Sequence, residues 1–316
     1  MILVAGATGR LGVELISLLT ARGHRLRILS RDLEHARQLL GDVADFAAGD
    51  ARDRGSLEGA ATGVEAVISA MTGFGPGGNG PRAVDYEGNL NLIRSAEAAG
   101  AQRFILLSVH GAAATHPMEL LRMKHRAEEA LRASRLDWRI LRPTVFMELW
   151  AGIVGDRHLR TGKATVFGRG DNPVNFISTR DVARFVELAL VDPGLSHQTI
   201  DIGGPENVTF NELVSEVENA IGRKARVRHV PIPLMRLTRA LIEPLKPDLA
   251  GMIEAGIVTD TSDMSFDAAG LQRRFPQMEL TRMTDVVRRE FTADGASSRL
   301  PDPRAAGPHV VGGSMK

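Results

Sequence analysis

Three glycines fall at a spacing that suits anion chemistry. Gly6-Ala-Thr-Gly9-Arg-Leu-Gly12 lies directly between the apolar run Ile2-Leu3-Val4-Ala5 and a helical pattern that begins near residue 10. A loop of this kind lets the backbone turn tightly and approach a pyrophosphate, which then rests on the free N–H groups of the helix start. Thr8, Arg10 and Leu11 complete that cradle. A glycine trio alone is a weak signal; here a strand precedes it and a helix follows. The competing reading is a tight strand-to-helix turn with no ligand.

The second apolar run ends in Ile28-Leu29-Ser30-Arg31-Asp32. A binder of NAD usually places a carboxylate here to accept from the ribose hydroxyls, whereas an arginine suits a 2′-phosphate. Arg31, with Arg10 as a second positive charge, therefore points to NADP(H). Asp32 leaves NAD possible, and an exposed Arg31 paired with Asp32 is the plain alternative. Ala47-Ala-Gly-Asp50 ends the third run. Two roles are open to Asp50: accepting from the adenine amino group with help from the backbone at Ala51, or capping a helix. Ala70 and Met71 close the fourth run, where the cofactor would pass.

These residues need a frame that brings strand ends together. Strands are expected at 2–5, 25–29, 44–47, 65–70, 102–108 and 137–141, and helices near 10–22, 32–41, 55–61, 82–99 and 118–134. Strands rich in Val, Ile and Leu that alternate with helices imply an α/β, doubly wound parallel sheet of the Rossmann type. The run 102–108 is continuously apolar, which suits a central strand, so Ser108 to Gly111 should open at the ligand edge. Residues 1–150 form the dinucleotide-binding core, and 174–202 return to it. A smaller α+β substrate lobe takes 151–173 and 203–292. Helices are expected at 180–191 and at about 209–221, the second opened by the capping box Thr209-Phe-Asn-Glu212. From 293 to 316 the composition turns to Gly, Ser, Pro and Ala, which predicts a disordered tail.

Composition bounds the rest. The chain has 316 residues, 43% of them apolar, and a net charge of +1, which argues against a protein built around nucleic acid. The basic stretch Arg223-Lys-Ala-Arg226-Val-Arg228 reads first as a solvated face. The absence of cysteine excludes disulfides and thiolate chemistry. The nine histidines show no spacing that suggests a metal site. No secretory signal is read, and no apolar run approaches the roughly 20 residues of a membrane span. A cytoplasmic location is expected, with room for an amphipathic helix resting on a bilayer surface. The expected partners are a small-molecule substrate or another protein, with the chain a monomer or homodimer.

The set of motifs resembles the NmrA-like atypical short-chain dehydrogenases. The resemblance is carried by the glycine loop, Gly49-Asp50, Asp85-Tyr-Glu-Gly-Asn-Leu-Asn-Leu-Ile93, Arg103-Phe-Ile-Leu-Leu-Ser108, Leu141-Arg-Pro-Thr144, Ser178-Thr-Arg-Asp-Val-Ala183 and Gly203-Gly-Pro-Glu-Asn-Val-Thr-Phe-Asn-Glu212. It covers about residues 1–290 and is similar to the photosystem-assembly type across 117–147. It implies a Rossmann core with a small C-terminal lobe. It does not imply one activity, because the group mixes reductases, redox sensors and assembly factors.

Short-chain dehydrogenases typically place a Tyr-x-x-x-Lys pair on the helix after the fifth strand. Lys124 matches the lysine, but Leu120 stands where the tyrosine would be, and the only tyrosine, Tyr86, is expected to pack or cap. Lys124 itself, if desolvated, or His110 at the strand edge then remain as proton donors, with His116 a weaker candidate. Ser108 matches the family's strand-end serine. Each of these has a plain alternative: a ribose-binding lysine, a polar loop histidine. The glycine-rich loop 72–81 is a lid over the nicotinamide or a simple surface loop. Pro143, Thr144 and Phe146 should pass beside the nicotinamide, and Phe146, Met147, Leu149 and Trp150 either line an apolar cavity for a flat carbonyl or quinone or pack in the core. A redox sensor is the competing function. An assembly factor is a third, with Leu234, Leu237, Leu241 and Ile242 facing out of the segment 231–251.

Overall fold

A computed structural model of the chain describes residues 1–75 and 77–292. The tail expected at 293–316 lies outside the described residues. The first half alternates β1 (Ile2–Ala5), α1 (Arg10–Ala21), β2 (Leu26–Ser30), α2 (Leu33–Leu40), β3 (Asp45–Ala48), α3 (Glu58–Ala61) and β4 (Ala66–Ser69). A π-helical turn, Arg82–Gly88, leads into α4 (Asn89–Ala98), followed by β5 (Arg103–Leu107), α5 (Glu119–Arg132) and β6 (Asp137–Pro143). Short β7 (Val145–Phe146) opens the second half, with α6 (Met147–Thr161), β8 (Lys163–Phe167), β9 (Val174–Ile177), α7 (Thr179–Val191), β10 (Gln198–Ile202) and β11 (Asn207–Val208). The chain continues through α8 (Phe210–Ile221), β12 (Arg226–Val230), α9 (Ile232–Ile242), α10 (Pro247–Thr261), α11 (Ala268–Arg274) and α12 (Met283–Phe291).

Seven strands form one parallel sheet in the order β10-β6-β5-β4-β1-β2-β3. The order reverses between β1 and β4, and a crevice for a ligand opens at such a switch point. The strands are apolar on both faces because both faces are covered. Leu11, Leu15 and Leu19 of α1 and Val182, Phe185 and Val186 of α7 pack on one side. Leu92 and Ala96 of α4 and Ala127 and Leu131 of α5 pack on the other. Each fully buried Leu or Ile contributes roughly 1.5–3 kcal/mol, so these two layers hold the sheet rigid under the site.

The second half builds a smaller core around Trp150, Val154, Phe176, Phe210, Val217 and Val286. It includes a three-stranded sheet, β11-β9-β7, and a two-stranded ribbon, β12-β8. The segment after the sixth strand is divided between the two units: α7 and β10 join the large sheet, while β9 stays in the small one. The capping box at Thr209 is present in full. Of the two readings open for Met147 and Trp150, the structure takes core packing. Met147 is wholly buried, and the Trp150 ring meets Phe210 edge-on with centroids 4.8 Å apart, so both belong to the lobe core. Leu149 points outward instead, at 40% exposure.

Candidate functional site: a dinucleotide crevice and a polar strand edge

At the switch point Ala70 N–H donates to Ala5 O at 2.9 Å, which brings the ends of β1 and β4 together. Gly6 sits at φ +87°, and a Cβ there would stand 2.6 Å from Ala70 O. A Cβ on Gly12 would stand 2.3 Å from Gly6 O. Both glycines are therefore required by backbone packing alone. Gly9 differs: its Cβ direction is open, with Gly6 O no nearer than 3.6 Å. Gly9 also precedes α1, whose first turn has no acidic residue and no side-chain cap. Free N–H groups in the first turn of α1 and open space at Gly9 are what an approaching pyrophosphate requires. Among the loop's side chains, Leu11 is buried in the core, and Arg10 pairs with Glu290 of α12 at 3.2 Å. Thr8 stands beside them on the same turn.

Arg31 is exposed at the end of β2. It makes no ion pair with Asp32, because the Asp32 carboxylate caps α2 by accepting from His35 N–H at 2.9 Å. Asp50 is held by Arg52, whose Nε and Nη2 reach its two oxygens at 2.5–3.0 Å. That hydrogen bond, with the charges of Arg52 and Arg31, keeps the Asp50 carboxyl below the ordinary value. Ala51 is buried and its carbonyl accepts from Asn91 at 2.9 Å.

Lys124 is buried on α5, and its ammonium is held by two backbone carbonyls and paired with one carboxylate. Nζ donates to Met71 O at 2.9 Å and to Leu107 O at 2.8 Å, and stands 3.1 Å from Asp85 Oδ1. Asp85 Oδ2 in turn accepts from Gly73 N–H at 2.8 Å. One ammonium thus ties the ends of β4 and β5 to the root of the glycine-rich loop. Tyr86, beside Asp85, packs its ring under the Arg126 guanidinium at 4.3 Å.

Ser108 does not face the crevice. Its Oγ donates to Glu128 Oε1 at 2.5 Å, and Glu128 is wholly buried. Arg142 donates to both Glu128 oxygens, at 2.8 and 2.6 Å, and Arg132 adds a third contact at 2.9 Å. The Glu128 hydrogen bond raises Arg142 above its usual value. Arg142 lies opposite Asp201 in the β6–β10 register. Asp201 then meets His110: Nδ1 is 2.9 Å from Oδ1. Burial alone would raise the Asp201 carboxyl, but the His110 hydrogen bond and the charges of His110 and Arg142 outweigh it and hold the group below the ordinary range. An ionised carboxylate only accepts, so Nδ1 carries the proton and Nε2 is left for other partners. His110 is half-exposed and meets Phe266 edge-on at 5.5 Å. His116 lies back from this edge: its Nδ1 accepts from Met118 N–H at 3.1 Å, and burial lowers the imidazole below its ordinary value.

Leu120, Phe74, Val109 and Met264 pack against a small core of Met118, Leu121 and Val258. Beside this apolar wall a cleft of about 490 Å³ opens between the glycine-rich loop, the start of α5 and the α9–α10 hairpin. Pro143 ends β6, and the Thr144 hydroxyl donates to Asn175 Oδ1 at 2.9 Å. Phe146 is half-buried against the large core. Asp201 and Asn175 escaped the sequence reading. Asn175 is fully buried and also bonds Gly204, Glu206 and Asn207, joining the two sheets. Only the alternation of β10 signals Asp201; pairing it with His110, 91 positions away, needs the fold.

The chain matches the family described as NAD(P)H-binding over residues 6–193. It is 30% identical to the photosystem II assembly factor Ycf39 of Synechocystis sp. over 241 residues, 76% of this chain and 73% of that one. It is also 30% identical to the NAD(P)H azoreductase of Xenophilus azovorans, over 76% of this chain and 80% of the relative. Among solved structures, the NADPH-dependent quinone oxidoreductase QOR2 of Escherichia coli, complexed with NADPH, superposes with a TM-score of 0.73 at 20% identity, over 92% of this chain and 100% of that one. Among the described residues no helix is long and apolar enough to cross a membrane, and no group of three or more His, Asp or Glu is placed to hold a metal. The switch-point crevice, the open approach at Gly9 and the matched span identify this chain as a member of the NAD(P)H-binding family.

Proposed function

We propose that the chain is an NADP(H)-dependent reductase of a small, largely apolar carbonyl or quinone. The observation that carries this reading is the His110–Asp201 pair, 2.9 Å apart at the ligand edge of the sheet, next to the apolar wall of Phe74, Val109 and Leu120. Gly9 and the start of α1 would hold the pyrophosphate, and Arg31 would meet the 2′-phosphate. When bound, the cofactor would supply hydride for a carbonyl carbon. His110 delivers the proton to the oxygen from Nε2, taking the place of the absent phenol, while Asp201 steadies the imidazolium through Nδ1. Lys124 fixes the ends of β4 and β5 through Met71 O and Leu107 O, and the apolar wall would keep water from the reacting carbon. A relative named as an azoreductase and a structural neighbour named as an NADPH-dependent quinone oxidoreductase support the class of chemistry.

A second reading is a cofactor-binding protein that signals to a partner. It is favoured by the commitment of Lys124 to two backbone carbonyls and to the ion pair with Asp85, and by Leu120 at the tyrosine position. Following NADPH absorbance with quinones, azo dyes and aldehydes separates the two. Turnover that falls by about two orders of magnitude or more in His110→Ala, with cofactor affinity kept, is the expected result. Tight NADPH binding with no turnover across the panel would leave the second reading standing.

A further inference from the structure

Eleven large hydrophobic side chains are exposed among the described residues, and six of them lie between positions 227 and 249. They are Val227, Leu234, Leu237, Leu241, Leu245 and Leu249, with Leu241 at 68% and Leu245 at 82% exposure. On α9, Leu234, Leu237 and Leu241 follow i, i+3, i+7 spacing, so they share one stripe. Met235, on another face of the helix, is buried and reaches Gly256 of α10. The leucine stripe is therefore a face turned away from the fold.

The same stretch is strongly basic. Residues 223–249 hold seven Lys or Arg and two Asp or Glu, in a chain whose totals are 39 and 38. Glu218 takes Lys224, and Glu243 and Glu254 take Arg239. Arg226, Arg228, Arg236 and Lys246 are exposed and form no ion pair among the described residues. On the ribbon Arg226 pairs in register with Lys163, another cation.

We propose that α9 and β12 form a peripheral docking surface for an anionic lipid bilayer. An amphipathic helix can lie in the plane of a bilayer with its apolar stripe at the headgroup boundary, and adjacent Lys and Arg add attraction to anionic headgroups. The leucines form an exposed ridge, not a groove, so a flat, deformable interface suits them. A second copy of the chain suits them less. A two-fold contact through this face would set Arg226, Arg228, Arg236 and Lys246 against themselves.

The test is flotation of the full chain with vesicles of phosphatidylcholine alone or with 30% phosphatidylglycerol. The expected result is a partition coefficient about tenfold or more higher on the anionic vesicles, falling steeply in 0.5 M salt. Leu237→Glu with Leu241→Glu, and separately Arg226→Glu with Arg228→Glu, should each lower it by about tenfold. NADPH affinity and the circular dichroism spectrum should stay unchanged in both variants, since neither pair touches the crevice. Equal binding to both vesicle types, no binding to either, or variants that bind like the parent would overturn the proposal. So would sedimentation showing a dimer that Leu237→Glu with Leu241→Glu dissolves, which assigns the face to a second copy.

Discussion

Lys124 Nζ stands 3.1 Å from Asp85 Oδ1, with both side chains buried between the ends of β4 and β5. Two backbone carbonyls complete the ammonium's contacts, and Gly73 N–H completes the carboxylate's. Removing one partner of such a pair leaves a buried charge unmatched, which costs far more than the pair contributes. Asp85→Ala should lower unfolding stability by about 3–5 kcal/mol in urea titration. A loss below about 1 kcal/mol would show that the pair is not the clamp that joins the two strands.

The glycine loop separates folding from binding. Gly12→Ala should destabilise the protein without any ligand, because its Cβ would stand 2.3 Å from Gly6 O. Gly9→Ala should leave the melting temperature of the free protein within a few degrees, since the nearest atom is 3.6 Å away. The same change should weaken NADPH binding by about tenfold or more by crowding the phosphate approach. Calorimetry with and without NADPH checks both. Equal loss of intrinsic stability in the two variants would remove the distinction.

Cofactor choice should turn on Arg31. A charge-assisted contact to a 2′-phosphate corresponds to roughly tenfold or more in affinity. Arg31→Ala should raise the dissociation constant for NADPH by that factor and leave NADH within about twofold. The Asp32 carboxylate is already used as a helix cap, so it is not expected to rescue NAD preference. Parallel fluorescence titrations settle the ratio, and an unchanged ratio would place the 2′-phosphate elsewhere.

Acid sensitivity should report on Asp201. Its folded carboxyl lies below the ordinary value of about 3.9, so it binds fewer protons folded than unfolded near that pH. The resulting stabilisation is present above about pH 4 and is lost as pH falls through the folded value. Asp201→Asn should therefore be less stable than the parent near neutrality, and the gap should narrow below about pH 4. Urea midpoints from pH 2.5 to 7 give the curve. A gap that is constant across that range would mean that the pair with His110 is not electrostatic in origin.

Much of the fold was legible in the chain because short-range rules govern it. β1, the glycine turn and α1 are local: a run of Ile, Leu and Val, then Gly6, then a helical period. The capping box at Thr209 is local too. So was the absence of the tyrosine before Lys124, since it depends only on spacing along one helix. The roles of Ser108 and Met147 were not legible in the same way. Each sits at a strand end, and whether it faces the crevice or the core depends on which partner approaches from far along the chain. Glu128 draws Ser108 inward, and Phe210 with Phe176 encloses the lobe core that takes Met147.

By itself, then, the sequence determined that this chain builds a parallel sheet with a glycine turn at its first crossover, because those features follow from periodicity and backbone sterics within about 30 residues. Only the tertiary structure decided that Lys124 is a clamp between carbonyls and that His110 acquires Asp201 as a partner. It also turned the leucines of α9 away from the core. Those outcomes depend on hydrogen bonds and packing between residues 17 to 91 positions apart along the chain, as with Lys124–Leu107 and His110–Asp201, which no local pattern encodes.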